Sequence, residues 1–168
     1  MIYIYTDFGG THTTSLAAAY HLNKLPTDRK LTKEEILNVD YFNKLKTEDM
    51  GKIIFHDFDN VFARFLLNAS SLVQQLLMRR IQSYIQDDHV HLCHEKIIFS
   101  NTSPTVPLPM TFGGLFSRRF HIDFIGVPLL VWGAKICCDN IQRLVSYTKE
   151  AGRLTNDYVV ILDNETFK

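Results

Sequence analysis

The stretch that decides the fold is residues 2–22: Ile2-Tyr3-Ile4-Tyr5-Thr6-Asp7-Phe8-Gly9-Gly10-Thr11-His12-Thr13-Thr14-Ser15-Leu16-Ala17-Ala18-Ala19-Tyr20-His21-Leu22. Ile2 to Thr6 is apolar and β-prone and runs into Gly9-Gly10, which reads as a buried strand ending in a tight loop. Leu16 to Tyr20 forms a good helical window. Thr11, Thr13 or Thr14 is expected to cap that helix, and Pro26 closes the unit.

Working outward, Thr32-Lys33-Glu34-Glu35 has capping-box form, so a short helix is expected to begin there. Asp40 is expected to cap a turn through Tyr41-Phe42. Lys52–Phe58 and Val61–Leu67 read as strands around Asp59-Asn60, a β-hairpin. Ser70-Ser71 opens a helix whose Leu72, Val73, Leu76, Leu77, Ile81, Tyr84 and Ile85 share one face. Lys96–Ser100 is a strand running into the turn Asn101-Thr102-Ser103-Pro104. A helix is expected between Leu108 and Arg119 despite Gly113-Gly114. Ile122–Ile125 is a strand candidate. A helix is expected from Trp132 or Gly133 to Thr148, and Tyr158–Leu162 is the last strand.

Strands alternating with helices at both ends predict one α/β domain over residues 1–168. Its expected form is a mostly parallel sheet with flanking helices in Rossmann-like or P-loop-like layers, carrying a β-hairpin insertion. The composition agrees with a globular chain: 168 residues, 46% hydrophobic and 21% charged. Eighteen basic and eighteen acidic residues cancel, so the footprint of a general nucleic-acid binder is missing. Cys93, Cys137 and Cys138 make a poor disulfide framework, which fits a reducing cytoplasm. The first residues carry no basic run and no cleavage site, so no signal peptide is expected. The longest uncharged apolar stretch, Phe124–Ala134, is short of the ~20 residues of a membrane helix, so no membrane partner is expected either.

Three segments carry candidate chemistry. Gly9-Gly10-Thr11-His12-Thr13-Thr14 lies between a strand and a helix start, where close backbone approach, unpaired N–H groups and hydroxyls suit a phosphate or carboxylate. His12 adds an acid, base or ligand, and Asp7 a base, metal ligand or turn acceptor. No Lys follows the glycines, so this is not a Walker A loop, and the third glycine of a dinucleotide fingerprint is missing. The plainer alternative is a tight strand-to-helix turn with a threonine cap. The second segment joins Thr102, Ser103 and Thr105, just after a strand, to Ser117, Arg118 and Arg119, whose guanidinium groups suit oxyanions. Its plainer alternative is Ser103 as a helix cap and the arginines as solvated partners of a helix end. The third, His89-Val90-His91-Leu92-Cys93-His94, has metal-ligand residue types but no second cluster to complete a site. It reads better as a His-rich connector. His21 and His56 fall on a predicted helix and strand and read as packing or surface residues.

Three blocks resemble an uncharacterised bacterial family, domain of unknown function three-one-eight-nine. The first runs from Ile4-Tyr5 through Gly9-Gly10-Thr11-His12-Thr13-Thr14-Ser15-Leu16 and Ala17–Ala19 to His21-Leu22 and Leu25-Pro26. The second is Asp40-Tyr41-Phe42 with Asp49-Met50-Gly51-Lys52-Ile53-Ile54. The third holds Thr102-Ser103-Pro104-Thr105-Val106, Gly113-Gly114, Ser117-Arg118-Arg119, Ile125-Gly126-Val127-Pro128 and Trp132-Gly133. The resemblance implies that the Gly-Gly-Thr-His loop and the Ser-Arg-Arg block are signature features of one shared site. A cysteine often stands in that family where this chain has Asp7, and the His89–His94 cluster lies outside its pattern. The resemblance implies no reaction and no cofactor. The functional expectation is a small anionic, phosphorylated ligand held by residues 9–14, with Arg118 and Arg119 offsetting charge and Thr102, Ser103 and Thr105 orienting it. His12 and Asp7 would serve catalysis if the chain is a hydrolase or transferase. The alternative is a non-catalytic regulatory or assembly module acting through a protein partner.

Overall fold

In the computed structural model of the chain, the described residues are 1–7, 12–45, 53–59, 61–67 and 96–168. Five strands form one sheet: β1 (Ile2–Asp7), β2 (Ile53–Asp59), β3 (Val61–Leu67), β4 (Ile97–Asn101) and β5 (Val159–Leu162), in the spatial order β2-β3-β1-β4-β5. β1 pairs parallel with β3 on one side and with β4 on the other, and β4 pairs parallel with β5. β2 runs antiparallel to β3 at the edge, with a register shift between Phe55 and Asp57. The protein is thus α/β with a mostly parallel sheet. After β1 the chain adds strands on one side, then crosses to the other at β4. The order therefore reverses between β1 and β4, and ligands of open parallel sheets bind beyond the carboxyl ends of the strands at that point.

The helices are α1 (Thr13–His21), α2 (Lys33–Asn38), α3 (Leu108–Gly114) and α4 (Asp123–Leu154). Every residue of α1 is buried, and the small side chains of Ala17, Ala18 and Ala19 let it lie close among its neighbours. Alternation along β1 divides the apolar contacts. Tyr5 joins α1, α2, α3 and α4 in the main core, while Ile4 packs with Phe99 and Val159 in a smaller cluster on the other face. Thr32 caps α2 through the expected capping box, accepting from the Glu35 N–H while the Glu35 carboxylate accepts from the Thr32 N–H.

Two expectations are corrected. Ile122–Ile125 is not a strand: α4 begins at Asp123, well before Trp132, and runs for 32 residues. Pro128 stands only six residues into that helix, so its missing N–H removes one hydrogen bond near the start. Gly126 and Gly133 are contact points rather than breaks. A Cβ on Gly133 would come within 2.8 Å of the Met110 backbone nitrogen, and one on Gly126 within 2.6 Å of the Ser117 nitrogen. α3 and α4 therefore pack backbone to backbone. The second correction concerns the cap of α1. His12 precedes the helix without a side-chain cap bond, and Thr13 and Thr14 lie inside the first turn.

The helix expected between Leu108 and Arg119 is present, but it widens after Gly114 into a π turn over Leu115–Arg119. α4 is also long and apolar enough to cross a membrane by length and composition, and 44% of its most apolar window is buried inside the protein. Gly9, Gly10 and Thr11, the helix expected from Ser70, and the His89–His94 cluster lie outside the described residues.

Candidate functional site

The carboxyl ends of β1 and β4 are joined by hydroxyls. Asp7 closes β1 and is buried, and its Oδ2 accepts a hydrogen bond of 2.7 Å from the Thr13 hydroxyl in the first turn of α1. Thr13 Oγ1 lies 3.0 Å from Thr102 Oγ1, directly after β4, and Thr102 Oγ1 is also 3.0 Å from the Thr6 carbonyl. The Thr102 N–H donates to that same carbonyl. Thr105 turns its hydroxyl onto the Thr102 carbonyl at 2.8 Å, and the Ser103 N–H donates to Asn101 Oδ1. Thr102 and Thr105 thus spend hydroxyl contacts on fixing the end of β4 against β1 and α1. Thr14 is buried in the same first turn.

A second polar chain starts at His12. Its ring meets the edge of Phe42, with centroids 5.1 Å apart, and lies against Gly114, whose absent Cβ would stand 3.4 Å from Cε1. His12 Nε2 is 3.4 Å from Asn43 Oδ1; Asn43 Nδ2 donates to Ser117 Oγ at 3.0 Å; and the Ser117 hydroxyl donates to the Asp123 carboxylate. Asn43 adopts a left-handed backbone, φ 54°, a conformation asparagine tolerates better than most residues. Ser117 is buried in the π turn, Arg118 is half-buried and Arg119 exposed. π turns recur at functional positions because the extra residue re-aims neighbouring side chains.

Burial holds the His12 pKa down at about 4; the Asn43 hydrogen bond opposes this, and the positive charge of Arg118 adds to it. His12 is therefore a neutral imidazole at pH 7. A ring donating Nε2–H to Asn43 Oδ1 would leave Nδ1 as its acceptor nitrogen. Burial also pushes the Cys137 thiol up, with the Asp7 charge contributing, so this cysteine is an inert thiol.

The first and third blocks therefore meet in space: Thr13 touches Thr102, and His12 sits against Gly114 within electrostatic reach of Arg118. The second block supplies Phe42 to the same place. Asn43 and Asp123 were not singled out by the sequence. Asn43 directly follows the Asp40-Tyr41-Phe42 block, which is the one local signal that points to it. Asp123 sits in the run mistaken for a strand. Among the described residues no group of three or more His, Cys, Asp or Glu is arranged to hold a metal ion.

Fold and site together define an α/β protein with a buried cluster of bonded hydroxyls at the strand-order reversal. The family described as "protein of unknown function (DUF3189)" matches residues 2–150, and the chain belongs to it. No curated protein and no solved structure matches the chain.

Proposed function

We propose that this protein binds a small anionic, phosphate-bearing ligand in the crevice beyond β1 and β4. The observation that carries the reading is the meeting of the α1 N-terminus, His12 and Arg118 at the strand-order reversal. Residues 9–14 would cradle the anion with backbone N–H groups, and Arg118, with Arg119 at the rim, would offset its charge. Thr13, Thr102, Ser103 and Thr105 would set the shape of the floor. A hydrolase or transferase acting on a phosphoryl or acyl group is the reaction class this inventory serves. In it His12, neutral at pH 7, accepts a proton, with Asp7 as orienting carboxylate.

The same proposal takes the layers as Rossmann-like or P-loop-like, with the β2–β3 pair as a hairpin inserted at the sheet edge; the antiparallel pairing of β2 at the end of a parallel order supports it. It also takes the protein as cytoplasmic and as engaging neither nucleic acid nor membrane. Zero net charge and the free thiols of Cys137 and Cys138 support that.

The test is thermal stability against inorganic phosphate, nucleotides, sugar phosphates and acyl carriers, with and without magnesium. A ligand at ~100 times its dissociation constant adds roughly 2.7 kcal/mol. The expected result is a selective upward shift that Arg118→Ala abolishes. No shift with any compound overturns the reading. A second reading, a non-catalytic assembly module, is favoured by one observation: Leu108, Phe112, Phe120, Phe124 and Trp132, on α3, α4 and the turn between them, are more than half exposed.

A further inference from the structure

We infer that Asp123 is a positioning residue for His12: acting through Ser117 and Asn43, its carboxylate holds the imidazole proton on Nε2 and the ring's lone pair on Nδ1. The direction of the protons follows from the chemistry of the far end. A carboxylate only accepts, so the Ser117 hydroxyl spends its proton on Asp123. The Ser117 oxygen is then an acceptor, and Asn43 turns its NH2 to it at 3.0 Å. Oxygen and nitrogen of an asparagine amide are told apart by the bonds they make, and this bond leaves Oδ1 facing His12 Nε2 at 3.4 Å. A carbonyl oxygen only accepts, so Nε2 is the protonated nitrogen. In a neutral imidazole the other nitrogen is then the acceptor.

The reverse arrangement costs more. A ring protonated on Nδ1 would need Nε2 to accept, so Asn43 would turn its NH2 to the ring and its oxygen to Ser117. The Ser117 proton would then go to Asn43, and the Asp123 carboxylate would face an oxygen lone pair. One charge-assisted hydrogen bond is lost, roughly twice the strength of a neutral one. Water is a poor substitute along the inner links, because His12 and Ser117 are both buried. The fold also holds each link in place. Gly126 lets Ser117 sit on α4, since a Cβ there would come within 2.7 Å of the Ser117 Cβ, and Asp123 opens that same helix. Asn43 follows Phe42, whose ring meets His12. The two ring nitrogens face different neighbours: Nε2 faces Asn43, and Nδ1 lies where an added Cβ on Gly114 would be 3.9 Å away. The tautomer therefore decides on which side of the ring a proton is taken up. The inference deepens the proposed function and rests on that reading for its use: the proton that His12 accepts there goes to Nδ1. Asp7 bears on the first turn of α1 through Thr13, and Asp123 bears on the ring.

The experiment is the imidazole nitrogen spectrum of the full chain labelled with nitrogen-15 histidine, at pH 7 and with no ligand added. The couplings between ring protons and nitrogens show which nitrogen of His12 is protonated. The expected parent spectrum has Nε2 protonated and Nδ1 bare. Asp123→Ala removes the acceptor at the end of the chain, and Ser117→Ala cuts the chain one link further in. Each is expected to keep the parent's circular-dichroism spectrum and to shift the tautomer ratio towards Nδ1–H by about fivefold, the equivalent of one neutral hydrogen bond. His21, which bonds to Tyr5 instead, is expected to keep its ratio in both variants. A parent His12 protonated on Nδ1 overturns the inference. So does a parent-like ratio in either folded variant, or a change at His21 as large as that at His12. Because no anion is present, failure here leaves the anion reading to its own thermal-shift test, and failure of that reading leaves this result standing.

Discussion

His12 and His21 stand at opposite ends of α1, both buried, with pKa values held by burial at about 4 and about 3. Their surroundings differ. His21 Nδ1 is 2.7 Å from the Tyr5 hydroxyl, and its ring packs on Tyr3 and Tyr5, all within the core. Its carbonyl accepts from Lys149. His12 instead connects outward through Asn43 and Ser117 to the exposed Asp123, and Arg118 bears on its charge. Equal burial of the same residue type thus serves two ends. At the amino edge of the sheet it closes a core, and at the carboxyl edge it holds a polar chain next to the proposed ligand site. What separates the two histidines is what their hydrogen bonds lead to.

The comparison breaks most visibly in stability. His21→Ala leaves a cavity and strips the Tyr5 hydroxyl of a partner, so it is expected to cost about 3 kcal/mol in denaturant unfolding while the folded protein keeps its response to phosphate compounds. His12→Ala is expected to cost less than half as much and to lose that response. Equal stability losses at the two positions would erase the distinction. Thr13→Val, which keeps the shape but removes the donor to buried Asp7, is expected to cost about 2 kcal/mol. That loss would show the hydroxyl tie at the carboxyl edge to be structural as well as positional.

Counted per histidine and per pH unit, the effect of pH is the smallest. Both histidines are held below the ordinary value of 6.5, as is His56 at about 4. Between about 6.5 and about 4 the unfolded chain binds protons that the folded chain refuses, so stability falls as pH drops through that window and is level above it as far as these groups go. The slope is up to about 1.4 kcal/mol per pH unit for each histidine. His12→Gln and His21→Gln should each shallow it by one proton, read from unfolding midpoints between those limits.

Much of the fold was legible because it is local. The β-prone run before Gly9, the alanine-rich helix after it and the box at Thr32–Glu35 each declare themselves within a few residues. The start of α4 was not legible. Ile122–Ile125 is β-branched and aromatic, and Gly126, Pro128 and Gly133 carry the signature of a break. In the fold those glycines answer to the backbone of α3, a contact that no local window contains. The site divides the same way. Asp7, His12, Thr13, Thr102 and Ser117 were named as candidates because they flank predicted strand ends or stand in the family blocks. Asn43 and Asp123 act through partners 31 and 6 residues away, at the far ends of a hydrogen-bonded chain. A run of side-chain contacts of that kind leaves no period to read.

The most direct test is the imidazole nitrogen spectrum of protein labelled with nitrogen-15 histidine, recorded while inorganic phosphate and a sugar phosphate are titrated in at pH 7. The account predicts that the His12 resonances move with a saturable profile, that Arg118→Ala removes the movement, and that His21 stays where it is. A titration that leaves His12 unmoved, or that moves His21 as far, would contradict the assignment of the carboxyl edge as the ligand end.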